Sequence, residues 1–248
     1  HYSPSNAILV VAGAVTLAEA QQLAEKWFGP IPAGIRYERQ LPREPRQTEA
    51  RLLEVEADVP LSALYKVYHM PSRTEPGYYP TDLLSDVLGR GKSSRLYQRL
   101  VKEQQLFNSI SASVMGSLEP GLLVVSGKLN QGVSLAEADA AVEAVVAGLR
   151  EQLVDAEELE KVKNQAEASI VFSEVELLNR AMNLAYAKLM GDANLVNEES
   201  ALVQAVQPAD VQRAAQEVLR PDNCSTLRYQ ARPRQAAESV AEAAEATA

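Results

Sequence analysis

The sequence predicts an α+β fold in which helices cover a largely antiparallel sheet. Segments with the alternating pattern of strands are interrupted by pairs of helices, whereas a parallel α/β fold would alternate single strands with single helices. A chain of 248 residues can bury a substantial core, and its single cysteine, Cys224, excludes an intrachain disulfide. The fold is therefore expected to depend on packing alone.

A strand and a helix are predicted at the start of the chain. Residues 7–12 form a short aliphatic run, which predicts a buried strand. Thr16 followed by Glu19 is typical of a capping box, so a helix should begin there. We expect Trp27, near the end of this helix, to fill the core. Four prolines within residues 30–45 disfavour regular structure and indicate a linker.

The remaining elements follow from apolar periodicity, caps and glycine or proline breaks. The predicted strands are residues 51–59, 61–69, 107–115, 122–129 and 223–230. The predicted helices are residues 81–88, 93–104, 134–153, 155–190 and 208–219. We expect the first two of these strands to pair antiparallel, because they follow each other closely along the chain.

These elements divide the chain into three parts. Residues 1–45 form a strand-helix unit and a proline-rich linker, and we expect them to continue from an upstream half because the chain starts without methionine. Residues 46–232 form the main α+β domain. Residues 233–248 are rich in alanine and glutamate, a composition typical of a disordered tail.

The charge and hydropathy of the chain argue against two classes of partner. The formal net charge of −9 gives no sustained positive field, so no nucleic-acid partner is expected. The longest apolar run, residues 7–15, is too short to span a bilayer, so no membrane span is expected.

Several sequence motifs together resemble one protein family. Residues 82–106 read DLLSDVLGRGKSSRLYQRLVKEQQL, in which a helical pattern runs through a Gly-Lys-Ser-Ser turn into a second helix. PSNA at residues 4–7 leads into ILVVAG, WFGPIPAG occupies residues 27–34, and Asn-Arg-Ala occupies residues 179–181. With these motifs, nearly the whole chain resembles the C-terminal, non-catalytic half of pitrilysin/insulinase-type zinc metallopeptidases. The resemblance implies the processing-peptidase-like metallohydrolase fold.

The zinc-binding motif of this family is missing here. In the family's catalytic half, H-x-x-E-H supplies two imidazoles that hold the metal and a glutamate that activates water. The only imidazoles in this chain are His1 and His69, which are far apart in sequence. We therefore expect no metal ligands, no catalytic residues and no cofactor in this chain, and the resemblance places zinc in the catalytic half of the parent or partner.

The resemblance also implies an arginine and a tyrosine, seven positions apart, that reach the reacting carbonyl from the C-terminal half. The alignment places Val101 and Asn108 at these positions, so these roles are not carried over. Three nearby side chains, Arg95, Tyr97 and Arg99, remain candidates for substrate binding. Two parents fit this pattern: a zinc-bearing subunit whose ligands lie upstream, or a subunit inactive in both halves.

The turn at residues 89–94, Gly-Arg-Gly-Lys-Ser-Ser, also shares Gly-Lys-Ser with phosphate-binding P-loops. A P-loop needs a further glycine at the position of Asp86 and a preceding strand, whereas residues 83–88 are predicted to be helical. The turn is therefore predicted to be a helix break with an N-cap at Ser93 or Ser94.

The expected function is that of an inactive domain that forms part of a substrate chamber and contributes to proteolysis only with a zinc-bearing half. The implied partners are a homologous peptidase half or subunit and an unfolded peptide substrate. The alternative is a structural or assembly subunit of the same family without protease activity. The resemblance implies the bacterial periplasm or cytoplasm, and the sequence does not distinguish them.

Overall fold

The computed structural model describes residues 2–37, 40, 42 and 44–232, and in them a five-stranded sheet is packed against helices. The strands are β1 (Arg51–Ala57), β2 (Ala63–Met70), β3 (Phe107–Met115), β4 (Gly121–Leu129) and β5 (Cys224–Ala231). The helices are α1 (Leu17–Phe28), α2 (Tyr78–Gly89), α3 (Leu135–Glu151), α4 (Ala156–Ser173), α5 (Leu177–Leu189), α6 (Leu195–Ala205) and α7 (Pro208–Val218). A π-helical segment, Tyr97–Glu103, precedes β3. The predicted α+β class is confirmed.

The strand order is β1-β5-β2-β4-β3, and every pairing is antiparallel except that of β1 with β5. The prediction that the first two strands pair was wrong. The last strand lies between them, with Leu53 opposite Leu227 in the parallel pair and Tyr65 opposite Leu227 in the antiparallel pair. Strand β5 therefore ties the two ends of the main domain together.

Helices cover one face of this sheet. Because side chains alternate across a strand, Leu64, Tyr68, Leu123 and Val125 share that face, and all four belong to the main hydrophobic core. Helices α2, α3, α4 and α7 supply many of the other core residues, including Leu84, Val142, Leu159 and Val211. Burial of this apolar surface is the main stabilising contribution to the domain.

Helix α2 approaches the sheet so closely that one position has no room for a side chain. A Cβ atom on Gly89 would overlap the amide nitrogen of Ala112 on β3 and lie 2.7 Å from its Cα. By contrast, a Cβ atom on Gly148, in α3, would meet no atom within 4 Å. The absence of a side chain at Gly89 therefore sets the distance between α2 and β3.

A network of charged side chains joins the sheet to α3. The Lys66 ammonium donates to Asp139 Oδ1 at 2.7 Å, and Arg228 Nη2 donates to Asp139 Oδ2 at 2.9 Å. The Lys66 side chain is only 7% exposed, so the Asp139 carboxylate offsets part of the cost of removing the ammonium from water. Burial raises the pKa of Asp139, but the hydrogen bonds from Lys66 and Arg228 outweigh burial and lower the pKa overall.

The first part of the chain departs most from prediction. Residues 7–12 were predicted to be a buried strand, but they form no strand and are mainly exposed. Among the described residues, the sheet contains only β1 to β5. Helix α1 begins at the predicted capping box, with Glu19 N–H donating to Thr16 Oγ1 at 3.2 Å. It buries no residue, and Trp27 is 64% exposed, so the prediction that Trp27 fills the core was wrong.

Most later elements match their predictions, with four differences. The helix predicted over residues 155–190 is two helices, α4 and α5, and α6 was not predicted. The helix predicted over residues 93–104 becomes regular only at Arg95 and continues as the π-helical segment. Helix α2 begins three residues earlier than predicted, at Tyr78. The tail, residues 233–248, lies outside the described residues.

Over the residues that the structure describes, no helix has the length and apolar character needed to cross a membrane.

Candidate functional site

The sheet face opposite the helices, here called the open face, is the candidate site. Strand register assigns to it the side chains of Leu53, Val55, Tyr65, Val67, His69, Ser109, Ser111, Ser113, Met115, Leu122, Val124, Ser126, Lys128, Leu227 and Tyr229. None of them belongs to the core cluster. The described part of the chain thus leaves a broad sheet face uncovered.

The open face combines apolar side chains with small polar ones. Val67 lies opposite Val124, and both are half-buried. Leu53 and Met115, near the two edges, are 60% and 62% exposed. The open-face side chains of β3 are mostly serines, which are short, so side chains project less from the sheet there. Such a face can contact extended peptides through apolar side chains without selecting one sequence.

The three predicted substrate-binding candidates are not brought together on this face. Arg95 makes a bidentate ion pair with Glu158 of α4, with Nη2 2.8 Å from Oε2 and Nε 3.2 Å from Oε1. Its guanidinium is therefore directed to the helix layer. Tyr97 is half-buried and Arg99 is exposed, both within the π-helical segment.

The two positions aligned with the family's arginine and tyrosine are also far from forming a catalytic pair. Val101 packs against the hydrophobic core, and Asn108 is exposed on β3. Neither a valine nor a peripheral amide supplies the paired donors that stabilise a developing oxyanion.

The described residues do not fit a zinc ion. A catalytic zinc site needs three protein ligands that converge on one point. His69 Nε2 lies 3.9 Å from Glu44 Oε1, and the described part of the chain contains no group of three His, Cys, Asp or Glu side chains able to hold a metal. We therefore derive no chemical step through a metal in this chain.

The Gly-Lys-Ser turn follows α2 directly, whereas a P-loop follows a strand. Gly91 has a φ of 74°, which favours glycine, and the Ser94 hydroxyl donates to its carbonyl at 2.8 Å. Ser94 therefore stabilises the turn itself. An N-cap had been predicted at Ser93 or Ser94, but the Ser94 hydroxyl bonds to the turn and does not cap the helix.

Two carboxylates lie one turn apart on α2, that of the half-buried Asp82 and that of the buried Asp86. Burial, together with the nearby Asp86 charge, raises the pKa of Asp82 to about 6. Burial also raises the pKa of Asp86, although Arg90 Nη1 donates to its carboxylate at 2.8 Å and lowers the pKa in part. At neutral pH the domain therefore carries an ionised Asp82 that its surroundings disfavour.

This pair predicts an unusual dependence of stability on pH. Because the folded-state pKa of Asp82 is raised, its contribution to stability is complete below about pH 4 and is lost as the pH rises through 6. We therefore compare the free energy of unfolding of Asp82→Asn with that of the wild type. We expect this difference to shift in favour of the variant by about 2 kcal/mol as the pH rises from 4.5 to 7.5. Urea unfolding at both pH values measures this difference. An equal pH dependence in both proteins would contradict it.

Comparison with known proteins identifies the family. The model of the Peptidase M16 inactive domain matches residues 1–166. This match covers more than half of the chain, and the chain belongs to that family. M16 peptidases are the pitrilysin/insulinase type, so the resemblance seen in the sequence motifs is confirmed.

Individual relatives agree with this assignment. The chain is 27% identical to the zinc protease PqqE of Helicobacter pylori over 176 residues. This alignment covers 69% of the chain and 39% of PqqE. A protease structure from Helicobacter pylori has a TM-score of 0.80 at 21% identity and matches 88% of this chain over 54% of its own length. An inactive peptidase domain from Bordetella parapertussis has a TM-score of 0.65 at 25% identity, covering 70% of this chain and 94% of that domain.

The chain thus spans well under two thirds of the curated relative and about half of the Helicobacter pylori structure.

Proposed function

We propose that this chain is the non-catalytic half of a zinc metalloendopeptidase and that its open face forms one wall of a chamber for unfolded peptides. It contributes to proteolysis only together with a zinc-bearing half. The uncovered sheet face is the observation that carries this proposal, because a domain of this size normally buries both faces of a sheet or leaves one strongly polar.

The composition of the open face supports confinement of peptides. Val67, Val124, Leu122 and Tyr229 offer apolar contact, while the serines of β3 keep the surface shallow. Contacts of this kind bind many sequences weakly, as a chamber for unfolded chains requires.

The exposed surface of α1 supports a second half as partner. Leu17, Leu23, Trp27 and Phe28 are each at least half exposed, and α1 contributes nothing to the core. An apolar helix face of this kind is typical of a surface that another domain covers. Because the relatives are longer than the chain, a homologous half is the occupant that we propose. In this arrangement residues 1–45 act as the joining unit and residues 46–232 as the chamber wall.

Charges placed on the open face test this proposal. We expect Val67→Glu or Val124→Glu, in the presence of the zinc-bearing half, to lower kcat/KM for long unfolded peptides about tenfold, since roughly 1.4 kcal/mol of apolar contact is lost. Cleavage of very short peptides should change much less, because they need little of the wall.

The matched control is Leu153→Glu, which adds the same charge at a leucine that is 57% exposed beyond the end of α3. Thermal unfolding checks that each variant remains folded. If the open-face variants and the control cleave long peptides equally well, the open face is not a chamber wall. If the wild-type chain cleaves no peptide even when a zinc-bearing half is present, the chamber-wall proposal is wrong. A structural or assembly role is then the function that we propose.

A further inference from the structure

A second candidate binding site lies within the helix layer, away from the open face. A cavity of about 1130 Å³, open to solvent on one side, is lined by residues from 71–77, the start of α2, the α5–α6 hairpin and α7. This volume exceeds what most small-molecule sites provide, and it is large enough for several residues of a peptide. The cavity plays no part in the chamber proposed above.

The walls of the cavity are largely apolar. Ala187, Val206 and Ala214 are buried in its lining, whereas Tyr186 and Leu202 are 54% and 40% exposed there. When a ligand buries large apolar side chains that line a concave surface, the free energy of the complex is lowered. The cavity therefore favours a ligand with apolar side chains.

The charged groups of the cavity are mainly acidic. Two arginines line it, and both are paired: Arg73 Nη2 lies 3.0 Å from Glu199 Oε1, and Arg213 Nη1 lies 3.1 Å from Asp210 Oδ1. Three more carboxylates line the cavity and make no ion pair with the described part of the chain, those of Glu75, Asp192 and Glu217.

The unbalanced carboxylates indicate the charge of the ligand. An excess of negative charge at a concave apolar surface attracts cations and repels anions. The tail of this chain, residues 233–248, contains three glutamates and one arginine, so its charge disfavours it as the occupant. A basic segment from another polypeptide is the complementary ligand.

We propose that the cavity between α2, α7 and the α5–α6 hairpin binds a short peptide segment of another protein that carries apolar side chains interspersed with lysine or arginine. The site acts independently of proteolysis, since its lining shares no residue with the open face. It offers a partner a means of attachment that leaves the proposed chamber free.

Two labelled peptides and matched leucine variants test the site. The probe is a fluorescein-labelled twelve-residue peptide of alternating leucine and lysine, and its counterpart has glutamate in place of lysine. Fluorescence anisotropy with the full chain should show at least tenfold tighter binding of the lysine peptide. Leu202→Lys, inside the cavity, should weaken that binding at least tenfold, because it removes apolar contact and adds a repelling charge.

The control is Leu178→Lys, on α5 but outside the lining, where leucine is 69% exposed. It should bind the lysine peptide as the wild type does. Glu217→Lys should weaken binding at least threefold, whereas Glu174→Lys, an exposed glutamate outside the lining, should not.

Thermal unfolding confirms that all four variants are folded. Equal binding of the two peptides, or equal losses in cavity and control variants, would overturn the proposal. Neither result would affect the chamber assay, so failure of one proposal is distinguishable from failure of the other. Competition by a peptide corresponding to residues 233–248 would also overturn it, because the tail would then be the occupant.

Discussion

Replacement of Gly89 by alanine is expected to destabilise the domain by about 3 kcal/mol. The added methyl group would overlap the backbone of Ala112, and backbone atoms cannot move aside as a flexible side chain can. Relief would require α2 to move away from β3, which would open the core around Leu84 and Leu88. Urea unfolding measures the loss.

The same substitution in α3 is the matched control. Gly148→Ala adds a methyl group where no atom lies within 4 Å, so it should stabilise the protein by about 0.5–1 kcal/mol through lower entropy of the unfolded chain. Opposite signs at the two helical glycines would support the close approach of α2 and β3. A loss below 1 kcal/mol for Gly89→Ala would contradict it.

Loss of the Asp139 charge is expected to be at least as costly. Asp139→Asn should lower the free energy of unfolding by about 3–5 kcal/mol at pH 7, because it leaves the buried Lys66 ammonium without its closest carboxylate and weakens the bond to Arg228. Glu143, 3.8 Å from the Lys66 ammonium, compensates only in part.

An ion pair of similar length that is more exposed to solvent gives the control. Arg220 and Asp222 are 2.8 Å apart, but their side chains are 25% and 40% exposed, so Asp222→Asn should cost less than 1 kcal/mol. Because the pKa of Asp139 is lowered on folding, its contribution is present above the unfolded-state pKa and is lost as the pH falls below about 4. Equal costs for the two substitutions at pH 7 would show that burial of the Lys66 network contributes nothing.

Elements with local signals were predictable from the sequence. Strand β3 occupies the predicted residues, since its alternating side chains follow the two-residue repeat of a strand. Helix α3 begins where Ser134 caps it, with Glu137 N–H donating to the serine hydroxyl at 3.2 Å. Caps and periodicity depend only on neighbours in sequence, and so they can be recognised without the fold.

Features that depend on distant contacts were not predictable. The parallel pairing of β1 with β5 joins residues about 170 positions apart, and no local pattern encodes it. The aliphatic run at residues 7–12 has a strand composition, but it has no strand partner in the described part of the chain. Apolar composition alone cannot tell a core from a surface that another domain covers.

The candidate site, too, was only partly predictable from the sequence. Family motifs predicted an inactive peptidase domain, because the missing histidines and the Val101 substitution are visible in the sequence. Which sheet face is open was not visible, since it depends on where every helix packs. The ion pair of Arg95 with Glu158 likewise links residues 63 positions apart, so sequence alone could not separate structural pairing from substrate binding.

The zinc content and peptidase activity of the purified chain test the central claim most directly. We expect the 248-residue chain, incubated with zinc and then desalted, to retain no stoichiometric metal and to cleave no unfolded peptide, with cleavage appearing only when a zinc-bearing half is added. Retention of about one zinc ion per chain, together with hydrolysis by the chain alone that a chelator abolishes, would contradict the account.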